Sequence, residues 1–85
     1  MGLEKSSNKS SIKIFPNPTT DIITVSGKNI NSIEVLNVQG QKINEYKNKT
    51  NLKNIVIDLS NNSYGVYLLK IKTKDGILLE KVVLE

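Results

Sequence analysis

The sequence predicts an all-β fold, a seven-stranded antiparallel sandwich. Three observations carry that expectation. The chain holds 11 Ile among 85 residues and no Ala, a balance that favours strands over helices. Short segments of period-two alternation recur along it, and no segment of helical period rivals them. Clusters of Gly, Asn, Asp, Ser and Pro separate those segments at short intervals. Several short strands with regular turns make a two-sheet sandwich, with a closed small barrel as the alternative arrangement. The strand order is not fixed by the sequence.

Taken in order, Met1 to Ser11 is rich in Ser, Asn and Lys, with Met1 and Leu3 as its sizeable apolar residues. It is expected to be a flexible leader, a linker or a cloning remnant, and without an apolar central run it does not read as a secretory signal peptide. The domain itself is expected over residues 12–85. Ile12 to Phe15 is the first strand, ended by Pro16-Asn17-Pro18, because proline cannot donate to a ladder. Asp21 to Val25 is the second, with Ile23 and Val25 on one face. Ser26 to Asn29 is a turn, and Ile33 to Val38 the third strand. Gln39-Gly40 joins it to Gln41 to Tyr46, Gly40 being expected to supply a positive φ.

Lys47 to Lys53 is a polar loop, and Ile55 to Leu59 is the fifth strand, with Asp58 expected to face solvent. Ser60 to Ser63 is turn chemistry. Gly65 to Thr73 is the longest strand, with Tyr67, Leu69 and Ile71 on one face and Lys70 and Lys72 on the other. Asp75-Gly76 predicts a type I′ hairpin turn, which needs positive φ at both central residues, and Ile77 to Leu84 returns as the seventh strand. Leu84-Glu85 reads as a further cloning remnant.

The residue inventory narrows the chemistry. Cys and His are both absent, which removes thiol nucleophiles, disulfides, imidazole bases and zinc-finger sites. No apolar run approaches the roughly 20 residues that cross a bilayer as a helix. The carboxylates Glu4, Asp21, Glu34, Glu45, Asp58, Asp75, Glu80 and Glu85 are dispersed singly, whereas acid–base catalysis needs a titratable pair in a cleft. Gly27 between Ser26 and Lys28 marks a turn rather than a serine–lysine dyad. There is no Gly-rich phosphate loop and no Asp-rich calcium loop. No catalytic, cofactor or metal site is therefore expected. The net charge of +4 comes from 12 Lys without any Arg. Nucleic-acid surfaces favour Arg for its bidentate contacts, so no nucleic-acid partner is expected. Asn-X-Ser/Thr matches at Asn8, Asn48 and Asn61 arise readily by chance among 11 Asn.

Two surface features remain. Lys70, Lys72 and Lys74 recur with a period of two, which makes either a docking stripe for an acidic partner or, as the commoner device, a solvated face that guards a sheet edge. Among the four aromatic residues, Phe15 and Tyr67 are expected in the core, Tyr67 with its hydroxyl at the rim, pinning a corner. Tyr46 and Tyr64 are left as candidate contact residues.

Phe15-Pro16-Asn17-Pro18, Val35 to Ile43, Ile57-Asp58-Leu59-Ser60, Tyr64 to Ile71 and Lys81-Val82-Val83 follow one another at a characteristic spacing. In this the chain resembles the type A C-terminal sorting domain of the type IX secretion system of Bacteroidetes, from about Ile12 to Leu84. The resemblance implies an immunoglobulin-like sandwich of seven strands at the C-terminus of an exported protein. It also implies partners: the outer-membrane translocon, its shuttle protein, a sortase-like surface peptidase and a cargo domain fused upstream. The cargo would pass through the periplasm to the cell surface or beyond. Candidate recognition residues are Pro16, Asn17, Pro18, Gly40, Gly65, Tyr67, Lys70, Lys72 and Lys81. Asn62 stands where the family usually has an apolar residue and is expected to loosen that corner, and Glu85 stands where it tends to have a basic one. The contrasting reading is an extracellular adhesion or carbohydrate-binding module, whose sugar platform would need Tyr46 and Tyr64 exposed and coplanar.

Overall fold

In a computed structural model, which describes residues 12–85, seven strands form in chain order. They are β1 (Lys13–Phe15), β2 (Ile22–Ser26), β3 (Ile30–Leu36), β4 (Lys42–Lys47), β5 (Asn54–Asp58), β6 (Gly65–Thr73) and β7 (Gly76–Leu84). The expected leader lies outside the described residues. One sheet has the order β1-β2-β5 and the other β4-β3-β6-β7, with every strand pair antiparallel. The chain changes sheet between β2 and β3, between β4 and β5, and between β5 and β6. That connectivity makes an immunoglobulin-like sandwich with two separate sheets, not a closed barrel.

Alternation is what builds it. Ile23, Val25 and Ile57 of the three-stranded sheet and Ile33, Val35, Leu69, Ile71 and Val82 of the four-stranded sheet have no exposed surface and form one core. Asp58 faces solvent, as its place in the alternation requires. Tyr67 closes the corner: its ring is buried and its hydroxyl donates to the Ser63 carbonyl, the tyrosine corner of this architecture.

Five details depart from the sequence reading. The third strand starts at Ile30, because the register with β6 shifts between Ile30 and Ser32 and the bulge breaks simple alternation. It also ends at Leu36, and Val38 is exposed in the turn that follows. Phe15 is 48% exposed: Ile14 points inward, and Phe15, opposite Thr24, falls on the outer face. The β6–β7 turn is Lys74-Asp75, since Thr73 pairs with Gly76, and of these residues only Gly76 has a positive φ, at +139°. The turn is therefore not type I′ about Asp75-Gly76. Thr73 supports it, its Oγ1 accepting from the Asp75 N–H at 3.1 Å and donating to the Gly76 carbonyl at 3.0 Å. Finally, Leu84 is buried against the core and pairs with Gly65, so it is part of the domain and not an appendage.

Candidate recognition site

The motif stretches are far apart in sequence and gather at one pole of the sandwich. β6 begins there at Gly65, whose register partner is Leu84 near the end of β7. β3 ends there too, since its last residue Leu36 pairs with Leu68, and the Asn37–Gln41 turn follows. β5 arrives at the same pole, with Leu59 donating its N–H to the Asp21 carbonyl at 2.7 Å.

The Pro16-Asn17-Pro18 segment crosses from β1 to the outer edge of β7, and both of its X–Pro bonds are cis. Asn17 binds that edge with both ends of its amide. Nδ2 donates to the Lys81 carbonyl at 2.9 Å, and Oδ1 accepts from the Val83 N–H at 3.1 Å. Thr19 extends the contact, donating its N–H to the Val83 carbonyl at 2.9 Å and accepting from the Glu85 N–H at 2.8 Å. The result is a short parallel pairing of Thr19 with Leu84. Prolines on both sides suit this use, because they fix the backbone of a segment that bends as it crosses and bring no backbone donor of their own. Thr19 is buried, and its hydroxyl donates to the Ile22 carbonyl at 2.7 Å.

Gly40 and Gly65 serve the backbone. Gly40 has φ +85° in a turn organised by Asn37, whose Oδ1 accepts from the N–H groups of Gln39 at 2.9 Å and Gln41 at 3.0 Å. Gly65 starts β6 at φ +143°. The Asn62 corner is held by polar contacts, with its N–H donating to the Leu59 carbonyl at 3.0 Å. Asp58 tightens the same loop. Its carboxylate accepts from the Ser60 N–H at 2.8 Å, and hydrogen bonds from the Ser60 side chain and backbone hold it below the usual carboxylate range.

Lys70, Lys72 and Lys81 share the outer face of the four-stranded sheet, opposite the core-facing Leu69, Ile71 and Val82. Lys70 and Lys72 do not guard an edge in the way the sequence reading of the Lys70, Lys72 and Lys74 series had it, because they lie on β6 between β3 and β7, whereas Lys81 lies on the edge strand β7. Lys72 binds Glu34 at 3.3 Å, and Lys70 is the register partner of Glu34 on β3 and Leu79 on β7. On β4, Lys42 and Glu45 pair at 3.0 Å, a hydrogen bond that raises the lysine pKa and lowers that of the glutamate.

The tyrosines form no platform. Tyr64 is exposed beside β6's first residue, whereas Tyr46 is half-buried against the core and accepts a hydrogen bond from Asn44 at 3.3 Å. Tyr46 instead lines a groove of about 420 Å³ between β4 and β5, with Asn48, Leu52, Ile55 and Val56. Asn48 is engaged there in bonds to Ile30 and Leu52, so its amide is tied into the fold. The Asn17 clasp is the feature that sequence reasoning missed. An Asn between two prolines signals a local turn, and nothing local shows that its amide reaches residues 64 and 66 positions away.

The fold and this pole define a small all-β domain whose terminal strand is held by its entry segment. The chain matches the family described as Secretion system C-terminal sorting domain over residues 13–85, and it belongs to that family, the sorting domains of type IX secretion. It is also similar to the ulvan lyase NLR42 of Nonlabens ulvanivorans, with 33% identity over 69 residues. That match covers 78% of this chain and 12% of the lyase, so the chain spans only a small part of its relative's length. Membership of that family makes the domain a non-catalytic sorting signal and implies engagement of the type IX machinery and an exported, secreted or surface protein.

Proposed function

We propose that this domain is the address of a cargo fused upstream and that the outer-membrane translocon, its shuttle protein and a sortase-like peptidase handle it in turn. The cargo passes through the periplasm and ends at the cell surface or outside the cell. By likeness to the ulvan lyase, that cargo is a separate and much longer upstream portion. The observation that best supports this reading is the convergence of the shared stretches on one pole, where Asn17 joins the first of them to the last.

On this reading the machinery docks on the β6–β7 hairpin. Pro16, Asn17, Pro18, Gly40, Gly65 and Tyr67 shape the pole, while Lys70, Lys72 and Lys81 steer the approach of an acidic surface. The test is a reporter carrying its own signal peptide and this domain at its C-terminus. It should leave a type IX-competent cell and stay in the periplasm of a strain lacking the translocon. Equal export from both strains would refute the reading. Replacing Lys70, Lys72 and Lys81 together with Gln should slow export, and more so at low salt. A folded triple variant exported at the parent rate would reduce the lysines to a solubility device.

A further inference from the structure

The outer edge of β7 is closed over only part of its length. In an antiparallel strand, residues whose backbone groups point away from the neighbouring strand alternate. Val83 and Glu85 are such residues, bonded outward to Asn17 and Thr19, and the Lys81 carbonyl is bonded to Asn17. The same period runs back to Leu79 and Ile77, where no further strand adjoins among the described residues, because β7 ends its sheet. Over Gly76–Glu80 the edge is therefore open. Its outward residues are apolar and exposed, Ile77 by 59% and Leu79 by 61%. Sandwich edges are ordinarily blunted by charge, proline or short length.

We propose that this open stretch docks an extended segment of a partner protein by strand addition, a segment whose outer-face positions are apolar beside Ile77 and Leu79 and include carboxylates on that same face. The stretch runs about 17 Å at the usual rise, enough for a short strand. It is bracketed by the Lys74-Asp75 turn at one end and by Asn17 to Thr19 at the other. A second copy of β7 paired antiparallel about Leu79 would bring its own turn alongside Val83, where Asn17 and Thr19 already sit. A lone extended segment meets no such obstruction. Charge selects the partner further. The outer faces of β3, β6 and β7 carry Lys70, Lys72 and Lys81 against Glu34, which already binds Lys72. The partner's membership of the export machinery rests on the function proposed above; the open edge does not.

The test adds a synthetic peptide, with threonine at every second position and valine or glutamate in turn between so that valine and glutamate share a face, to the 85-residue chain and follows amide hydrogen exchange by residue. With peptide at about 100 times its Kd, the Ile77 and Leu79 amides should exchange about a hundredfold more slowly. Leu79→Pro removes an outward N–H and no bond to β6, so it should keep the fold and abolish the protection. Should proline unfold the domain, Leu79→Asp keeps the backbone donor at an exposed position, sets a carboxylate against those of the peptide, and should weaken binding. A peptide with lysine in place of glutamate should protect less. Unchanged exchange at Ile77 and Leu79, protection confined to another edge, or equal binding by folded Leu79→Pro would overturn the proposal. Protection that grows with protein concentration alone would also overturn it, by making the occupant a second copy. In cells, a parent fusion that is exported beside a folded Leu79→Pro fusion exported equally well refutes this docking site and leaves the sorting function standing. If the parent itself is not exported, the sorting function fails and the peptide result still decides the edge.

Discussion

Replacing Asn17 with Ala should loosen the terminal strand without dismantling the core. The side chain makes two hydrogen bonds to β7, at 2.9 and 3.1 Å, and both lie at the solvent-exposed rim. A typical bond contributes about 0.5–1.5 kcal/mol net, and rim bonds belong at the low end because water replaces them. The expected loss is about 1–2 kcal/mol in all, or roughly 0.5–1.5 M in the urea midpoint at an unchanged slope. A local readout separates the clasp from a general loss of stability: the Val83 amide should exchange as fast as the amides of the open edge. Asn17→Asp sharpens the test. Its carboxylate can still accept from the Val83 N–H but turns an oxygen toward the Lys81 carbonyl, so at neutral pH it should cost about as much as Ala. In acid, the protonated carboxyl regains a donor and should recover part of that loss. An unchanged midpoint with Val83 still protected in Asn17→Ala would show that the two bonds do not hold the strand, and the reasoning would fail.

Leu69→Ala should cost about 2–5 kcal/mol in denaturant unfolding, because Leu69 is fully buried between β3 and β7; a loss well under 1 kcal/mol would contradict its placement. Tyr67→Phe should cost about 1 kcal/mol by removing the bond to Ser63, measured by thermal unfolding, and an unchanged midpoint would deny the corner its role. Asp58 gives a pH dependence. Its folded pKa is depressed by Ser60, so the stability it lends is present above the ordinary carboxylate pKa of about 3.9 and is lost as pH falls through the lower folded value. Asp58→Asn should flatten the acid limb of the stability curve, and an unaltered limb would remove Asp58 from the account.

The fold was legible wherever alternation and burial coincide. Ile23 and Val25, Ile33 and Val35, and Tyr67, Leu69 and Ile71 all lie inward as the period of two requires. The reading failed where something other than period decides. At Ile30 a bulge inserts a residue, so the strand continues through a sequence that no longer alternates. At Phe15 the large aromatic suggested burial, although strict alternation after Ile14 already placed it outside. At Lys74-Asp75 the Asp-Gly pair drew attention to a turn one residue too late, since Gly76 carries its positive φ inside the closing pair. The site was legible as motifs and illegible as contacts, because the Asn17 amide and the outer edge of β7 meet only through the tertiary fold.

The shared residues at the pole are largely occupied in building it. Gly40 supplies a φ that other residues rarely adopt, Tyr67 pins the corner, and Asn17 holds the terminal strand. A substitution at any of them changes the presentation of β7 together with whatever contact the residue makes, so lost export in such a variant does not identify a docking residue. Ile77, Leu79, Lys70 and Lys81 are different. They lie on the outer face of β6 and β7, and architecture asks little of their side chains. This division gives recognition a physical location that can be separated from folding. Pole residues should lower export in proportion to the stability they remove, whereas outer-face residues should lower it at constant stability. Plotting export against unfolding free energy across both sets would then give a shared slope for the first and vertical departures for the second, and only the departures mark contact with the machinery.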